Sequence, residues 1–290
     1  MTTRFEDNNV VKPHENHRGL PMSDWIGQWT NWLFSANPYH DPTTDVLFMR
    51  TFIGYNPSQD SIQRIYERPY GGQEKEKDFE RVVQARAINN RLERRDGTPL
   101  GEVIDDGTTI FMPILISMSW VGEDYNGKVL GTEEELRDVG RRVTDESRQI
   151  WASYREVGEN GVPKNWQNMV TNLVDYKFES SLFKLYVSEK SPFLDNLGVS
   201  PGIYDAITVG YFLLIKPLGL NDAQRTKGLT YDFHFGGRGK VDYQTDAIYR
   251  VTVKYKHRSL VADVSPGREP VAVFGYPKSV GPSVDALKAR

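Results

Sequence analysis

Apolar and polar positions change period along the chain. Trp25, Ile26, Trp29, Trp32 and Leu33 recur at helical spacing and leave Gln28, Thr30 and Asn31 on the opposite side. This predicts a short amphipathic helix near 23–35 with Ser23 as its N-cap. Asn37-Pro38 closes it, because proline bars helical dihedrals at the residue before it and cannot donate to the helix ladder. Val46 to Phe52 reads as a strand, and the polar stretch from Asp60 to Lys77 around Gly71-Gly72 as a surface excursion. Phe79, Val82, Val83, Ala87 and Leu92 give a buried stripe to a second helix near 78–95. A third helix is predicted near 132–157. Thr132 and Glu135 form a capping box, Leu136, Val139, Val143, Ile150 and Tyr154 keep the helical period, and Gly158 and Gly161 terminate it.

Between these helices, Asp106-Gly107 is a turn signal, and Thr108 to Trp120 reads as a central strand with Pro113 marking a bulge or an edge. From Asn165 onward the pattern shifts to short runs rich in β-branched and aromatic residues. Phe183 to Val187, Ala206 to Lys216, Leu229 to Phe235, Ala247 to Tyr255 and Val271 to Phe274 are each strand-like and separated by turn residues. Alternation is clearest in the last but one, where Tyr249, Val251, Val253 and Tyr255 share a face. The fold expected is mainly β with attached helices (α+β), built on an antiparallel β-sandwich or jelly-roll-like core. No repeat of solenoid or propeller length is visible.

Residues 23–263 are expected to form one domain. Residues 1–22 and the proline-broken 264–290 read as extended arms held by something outside the monomer. Composition narrows the function. The chain has 290 residues and a formal charge of −3, so it has no overall basic field for nucleic acid. Aromatics make up 12%, which fits a β protein better than a helical bundle. Cysteine is absent, which removes disulfides, thiolate metal sites and thiol nucleophiles. No apolar run is long enough to span a membrane, and residues 1–22 lack the apolar segment of a signal peptide.

Several local patterns, in order, resemble a group of mostly bacterial, mostly secreted proteins of uncharacterised function. A Trp-rich segment ending in Asn-Pro is matched by Ser23-Asp24-Trp25, Trp29, Trp32, Asn37-Pro38 and Asp41. A Gly-Thr-x-Ile-Phe-x-Pro strand is matched by Gly107 to Pro113. A closing series is matched by Gly210-Tyr211, Ile215-Lys216-Pro217-Leu218, His234-Phe235-Gly236-Gly237 and Thr245-Asp246 with Tyr249, Thr252 and Val253. The resemblance spans about residues 20–256 as separate islands. It implies a shared β fold and a life outside the cell, and it implies no activity. Members carry signal peptides and a few cysteines. This chain shows neither, which points to another route out, such as release inside an assembled virus particle.

The candidate contact residues for a partner or a glycan are Trp25, Trp29, Trp32, His40 and Arg238. The tryptophan stripe can stack on sugar rings or on a partner, although helical spacing more often means packing against a sheet. His14, His17 and His40 with Asp41 have the chemistry of metal ligands, but the first two sit in the expected arm. Asp124-Tyr125-Asn126-Gly127 opens like a calcium loop without the closing glutamate, and is better read as a turn. Gly236-Gly237-Arg238-Gly239 resembles a phosphate cradle but precedes a strand-like segment, so it reads as a hairpin loop. His234 alternates with Phe233 and Phe235 and is expected on the opposite face, solvated or locally hydrogen-bonded. No nucleophile elbow, Walker loop or dinucleotide fingerprint occurs.

The leading expectation is a non-enzymatic structural or interaction protein that needs no cofactor or metal. It would be a bacteriophage particle component, capsid-decorating or tail-accessory, oligomeric in context and joined to other subunits through its arms. The alternative is an extracellular carbohydrate-binding or carbohydrate-active protein.

Overall fold

The computed structural model describes residues 5, 9–35, 45–49, 91–92, 100–123, 129–145, 149–158, 160–191, 200–238 and 244–255. In chain order the elements are α1 (Met22–Leu33), β1 (Val46–Phe48), β2 (Arg91–Leu92), β3 (Leu100–Asp105), β4 (Thr109–Trp120), β5 (Gly122–Glu123), β6 (Val129–Leu130) and α2 (Glu133–Asp145). There follow β7 (Gln149–Val157), β8 (Gln167–Asn168), a 3₁₀ turn (Leu173–Tyr176), β9 (Lys177–Glu179), β10 (Phe183–Val187), β11 (Gly202–Ile215), α3 (Asp222–Lys227), β12 (Leu229–Arg238) and β13 (Gln244–Lys254).

The long apolar runs make the two central strands of a first sheet, ordered β1-β4-β11-β10 with β9 also on β11. β11 is its spine. β4 pairs along one edge, while β10 and β9 follow one another on the rest of it. Pro113 lacks an N–H, and the ladder is irregular there: Tyr211 faces Leu115 and Phe212 faces Pro113, leaving Ile114 as the extra residue of a bulge. The bulge resets the pleat. Ile110 and Met112 before it, and Leu115 after it, belong to one core, whereas Phe111 and Ile116 belong to another.

A second sheet, ordered β2-β13-β12-β7-β8 with β3 on β13, faces the first. Strict alternation in β12 and β13 sends Tyr231, Phe233, Phe235, Tyr249, Val251 and Val253 inward onto Ile110, Met112, Tyr211 and Leu213. The molecule is thus mainly β with attached helices, as expected. Most pairs are antiparallel, but β1, β2 and β3 join their neighbours in parallel.

α1 covers the outer side of the first sheet. Trp25, Ile26, Trp29 and Leu33 are buried against Phe111, Phe212, Leu214 and Leu185. A buried hydroxyl pair, Thr30 with Thr208 at 3.1 Å, ties the helix to β11. The helix begins at Met22 with Pro21 in the cap position and no side-chain cap, so Ser23 is not the N-cap. Its hydroxyl instead turns to Asp24 Oδ1 at 3.4 Å. The chain leaves the helix at Phe34; Asn37-Pro38 lies outside the described residues.

The capping box of α2 is present: the Glu135 N–H donates to Thr132 Oγ1 at 3.3 Å and the Thr132 N–H to Glu135 Oε2 at 3.1 Å. The helix expected to run to residue 157 nevertheless stops at Asp145, and Gln149–Val157 is strand β7. Ile150 and Tyr154 are four apart, a spacing that suits both one helix face and alternate positions of a strand. Ala152 between them is buried, and the three face the core as a strand's inward set. β-branched and aromatic content, together with pairing along β12, decides for the strand.

α2 packs on the first sheet through Leu136 and Val139 against Ile207 and Val209. Arg137 and Arg141 hold Glu179 of β9 at 3.0 and 2.7 Å. Gly140 allows the close approach, since a Cβ there would lie 2.6 Å from Val209 Cγ2. Gly140→Ala should therefore cost about 1–3 kcal/mol through overpacking, read as a lowered midpoint in thermal unfolding.

The N-terminal segment differs from expectation. Residues 9–22 do not extend away as an arm: Val10 and Val11 are buried, as is Phe5 before them. The Val11 N–H donates to the Leu214 carbonyl at 2.9 Å, and the Lys216 N–H to the Asn9 carbonyl at 2.7 Å, so the segment prolongs the ladder of β11. Arg18 and Gly19, both at positive φ, make a tight turn between His17 and Leu20. Arg18 Nη2 then donates to the Gly107 carbonyl at 3.1 Å, pinning this turn to the β3–β4 turn. The Asn9 carbonyl and the Val11, Glu15, His17 and Leu20 amides thus find partners within the same domain.

His17 is partly buried in this anchor, 2.9 Å from Thr109 Oγ1. Burial first, then Arg18 and Lys216, holds its imidazole below the ordinary value of 6.5, with Glu15 opposing. The folded state thus favours neutral His17. The stability it confers is complete above pH 6.5 and falls as acid protonates the unfolded chain first. His17→Gln should flatten the loss of stability between neutral and mildly acidic pH, measured by urea unfolding at each pH; an unchanged slope would contradict this.

Two further expectations fall mostly or wholly outside the described residues. Of the helix near 78–95, only Arg91–Leu92 is described, and it pairs as a strand with β13. The chain divides into units Met1–Lys256 and His257–Arg290, and the second, with the 264–290 arm and the strand at Val271–Phe274, lies outside the described residues.

Candidate functional site on the outer face of the second sheet

The alternation that buries Phe233 and Phe235 turns Asp232 and His234 to the other face of the sheet. Register brings Arg155 of β7 and Arg250 of β13 opposite Asp232 on its two sides. Arg155 Nε donates to Asp232 Oδ2 at 2.9 Å, with Nη2 also at 2.9 Å. Arg250 donates from Nε to Oδ1 at 2.7 Å and from Nη2 to Oδ2 at 3.1 Å. The Asp232 side chain has 0% exposure, against 24% for Arg155 and 36% for Arg250, so the two guanidiniums form the solvent side of the trio. Contact with the Asp232 carboxylate raises the Arg250 guanidinium above its usual range, and burial opposes it.

Trp166, 37% exposed, sits just before β8, and the Arg155 guanidinium lies 4.3 Å from the centre of its ring. Its ring is also 5.5 Å from that of His234. On the other side of His234, Trp151 Nε1–H donates to His234 Nε2 at 3.2 Å. Indole is a donor only, so Nε2 acts as the acceptor. His234 is therefore locally hydrogen-bonded on the solvent side, as alternation predicts. The face consists of two indoles flanking an imidazole, beside a fixed Arg-Asp-Arg row. It offers stacking surfaces and oriented cationic donors.

The residues put forward from sequence are placed differently. Trp25 and Trp29 are 2% and 0% exposed. Trp25 Nε1–H donates to the His17 carbonyl at 3.3 Å, and Trp29 Nε1–H to the Met49 carbonyl at 2.9 Å. Trp32 is half-buried against Phe48, ring centres 5.5 Å apart. The stripe is packing, and Trp25 and Trp29 cannot touch a partner or glycan. His40 with Asp41, and the loop at Asp124, lie outside the described residues. Arg238 closes β12 opposite Gln244 and Gln149, and Gly237 and Arg238 are strand, not loop. His14 is exposed and His17 bonds to Thr109, and no group of three or more His, Asp or Glu suited to a metal ion is found among the described residues.

Trp151, Arg155, Trp166, Asp232 and Arg250 are not singled out as site residues by the sequence reading. Trp151 and Arg155 were hidden by the helical reading of 149–157. The signal available was a lone carboxylate alternating with Tyr231, Phe233 and Phe235, and Arg250 at an alternate position in the neighbouring strand pattern. No protein-family model matches this chain, nor does any curated protein.

Proposed function

We propose that this protein is a non-enzymatic structural or interaction component of a larger assembly. Its contact surface is the outer face of the second sheet, and the assembly is a virus particle of bacteriophage type, in which it decorates the capsid or accompanies the tail. The observation that carries the reading is Trp166 stacked on Arg155, with Arg155 itself locked by buried Asp232. Tryptophan and arginine dominate the energetics of protein interfaces, and side chains already fixed lose little entropy on binding. The resemblance to proteins that live outside the cell agrees with a virion or extracellular location. Because residues 9–22 are built into their own domain, the joining role moves from that segment to the sheet face.

Mass spectrometry of purified particles against host envelope fractions tests this. The protein should be present in particles at a fixed ratio to the major subunit. Its presence in envelope or medium alone would reject the assembly.

A second reading, carbohydrate binding, is favoured by the rings of Trp166 and Trp151 on either side of His234, which could stack on sugar faces. A glycan array separates the two. Saturable glycan binding lost in Trp166→Ala would favour the sugar platform.

A further inference from the structure

We infer that the Arg155-Asp232-Arg250 row receives an acidic segment of a partner protein, an inference that rests on the interaction reading of this face. Two guanidiniums share one carboxylate, which leaves a surplus of one positive charge on a chain whose total is −3. The register places Thr252, Thr230 and Val157 on one side of the row, and Ile248, His234 and Ser153 on the other. Apart from the imidazole, these six neighbours bring no ionisable group, so no carboxylate at the register positions next to the row answers the surplus.

The donors are also spoken for unequally. Asp232 takes Nε and Nη2 of both arginines, and no acceptor among the described residues meets Nη1 of either. Asp232 is fully buried while the Arg155 and Arg250 side chains are 24% and 36% exposed, so these nitrogens are the donors of the trio that an incoming group would find unused. A carboxylate arriving there would meet guanidiniums that need no reorganisation. The row spans three adjacent strands of the sheet's outer face, an extended surface of the kind a macromolecular partner covers. Trp166 beside Arg155 supplies an apolar wall for the methylene groups of an aspartate or glutamate.

The test uses the full chain and poly-L-glutamate as the probe, with polyglutamine, heparin and inorganic phosphate as the contrasting arms. Binding is followed by tryptophan fluorescence and calorimetry at low and high salt. Poly-L-glutamate should bind saturably and weaken with salt, while polyglutamine and phosphate should not bind measurably. Arg250→Gln should weaken it about tenfold, the loss of one well-placed charge contact, and Arg250→Lys should recover most of that. Should Arg250→Gln fail to fold, Trp166→Ala decides, because it leaves the ion pairs in place; a loss of roughly threefold is expected from the missing ring.

Equal affinity for polyglutamine, heparin binding without poly-L-glutamate binding, or undiminished binding by both variants would overturn the inference. Particle incorporation without any poly-L-glutamate binding would overturn it while the assembly reading stands. Poly-L-glutamate binding by a protein absent from every particle would reject that reading and keep the acid-binding face.

Discussion

Replacing Trp29 with alanine should lower stability by about 3–5 kcal/mol, the range for removing a large aromatic from a closed core. Trp29 is fully buried, with Phe111 stacked 6.1 Å away and Phe212 edge-on at 6.3 Å. It also gives its indole N–H to the Met49 carbonyl at 2.9 Å, just past the end of β1. Deletion would open a void between α1 and the first sheet and leave that buried carbonyl without its donor. Trp29→Phe keeps part of the volume and loses only the hydrogen bond and the second ring, so its cost should be smaller. Urea unfolding followed by circular dichroism ranks the three proteins. If instead alanine left the unfolding midpoint unchanged, the stripe on α1 would not be the packing element described above.

Asp232→Ala should cost about 2–4 kcal/mol, somewhat less than the usual loss on breaking a fully buried ion pair because both arginines keep partial access to water. The carboxylate accepts from both guanidiniums and sits between β7 and β13, so its loss removes the one group that draws those strands' arginines together. Two like charges would then face each other across an apolar gap. Asp232→Asn keeps the shape and one acceptor oxygen, yet still removes the charge that offsets the pair. It should fall between wild type and alanine. Arg155→Met combined with Asp232→Leu and Arg250→Met removes the row as a whole and is expected to recover much of the stability, since apolar replacements of a buried ionic cluster are often neutral or better. That triple variant separates a stabilising role from a binding role: it should fold and fail to contact its partner.

The fold was legible where one local rule had one solution. Tyr249, Val251 and Val253 alternate with polar residues, and they are inward on β13. Thr132 and Glu135 cap a helix as their spacing requires. Pro113 allows a bulge or an edge, and in β4, which has neighbours on both sides, it is the bulge that shifts the strand by one residue. Reading failed where two rules agreed on different answers. Ile150 and Tyr154 satisfy a period of 3.6 and a period of 2 alike, and only β12 alongside resolves the choice. The polar start of the chain resembles an arm because the buried pair Val10 and Val11 shows no period. Their partners on β11, Leu214 and Ile215, lie some two hundred positions away. The site is hidden for a related reason: its members stand 77 and 18 positions apart. Arg155, Asp232 and Arg250 carry no spacing that could single them out, and become neighbours only through the register of three strands. Trp25 and Trp29 drew notice as aromatics at regular intervals, and regularity of that kind records the packing of α1.

The outer face of the second sheet as a joining surface can be tested at Trp166, 37% exposed. A photo-crosslinking phenylalanine analogue replaces Trp166 in the full chain, and particles assembled with it are irradiated and analysed by mass spectrometry. The same analogue at Val174, 61% exposed, serves as the control position. A covalent adduct between position 166 and an acidic segment of another particle subunit is the predicted result. Particles that contain the protein, with adducts at 174 and none at 166, would contradict it.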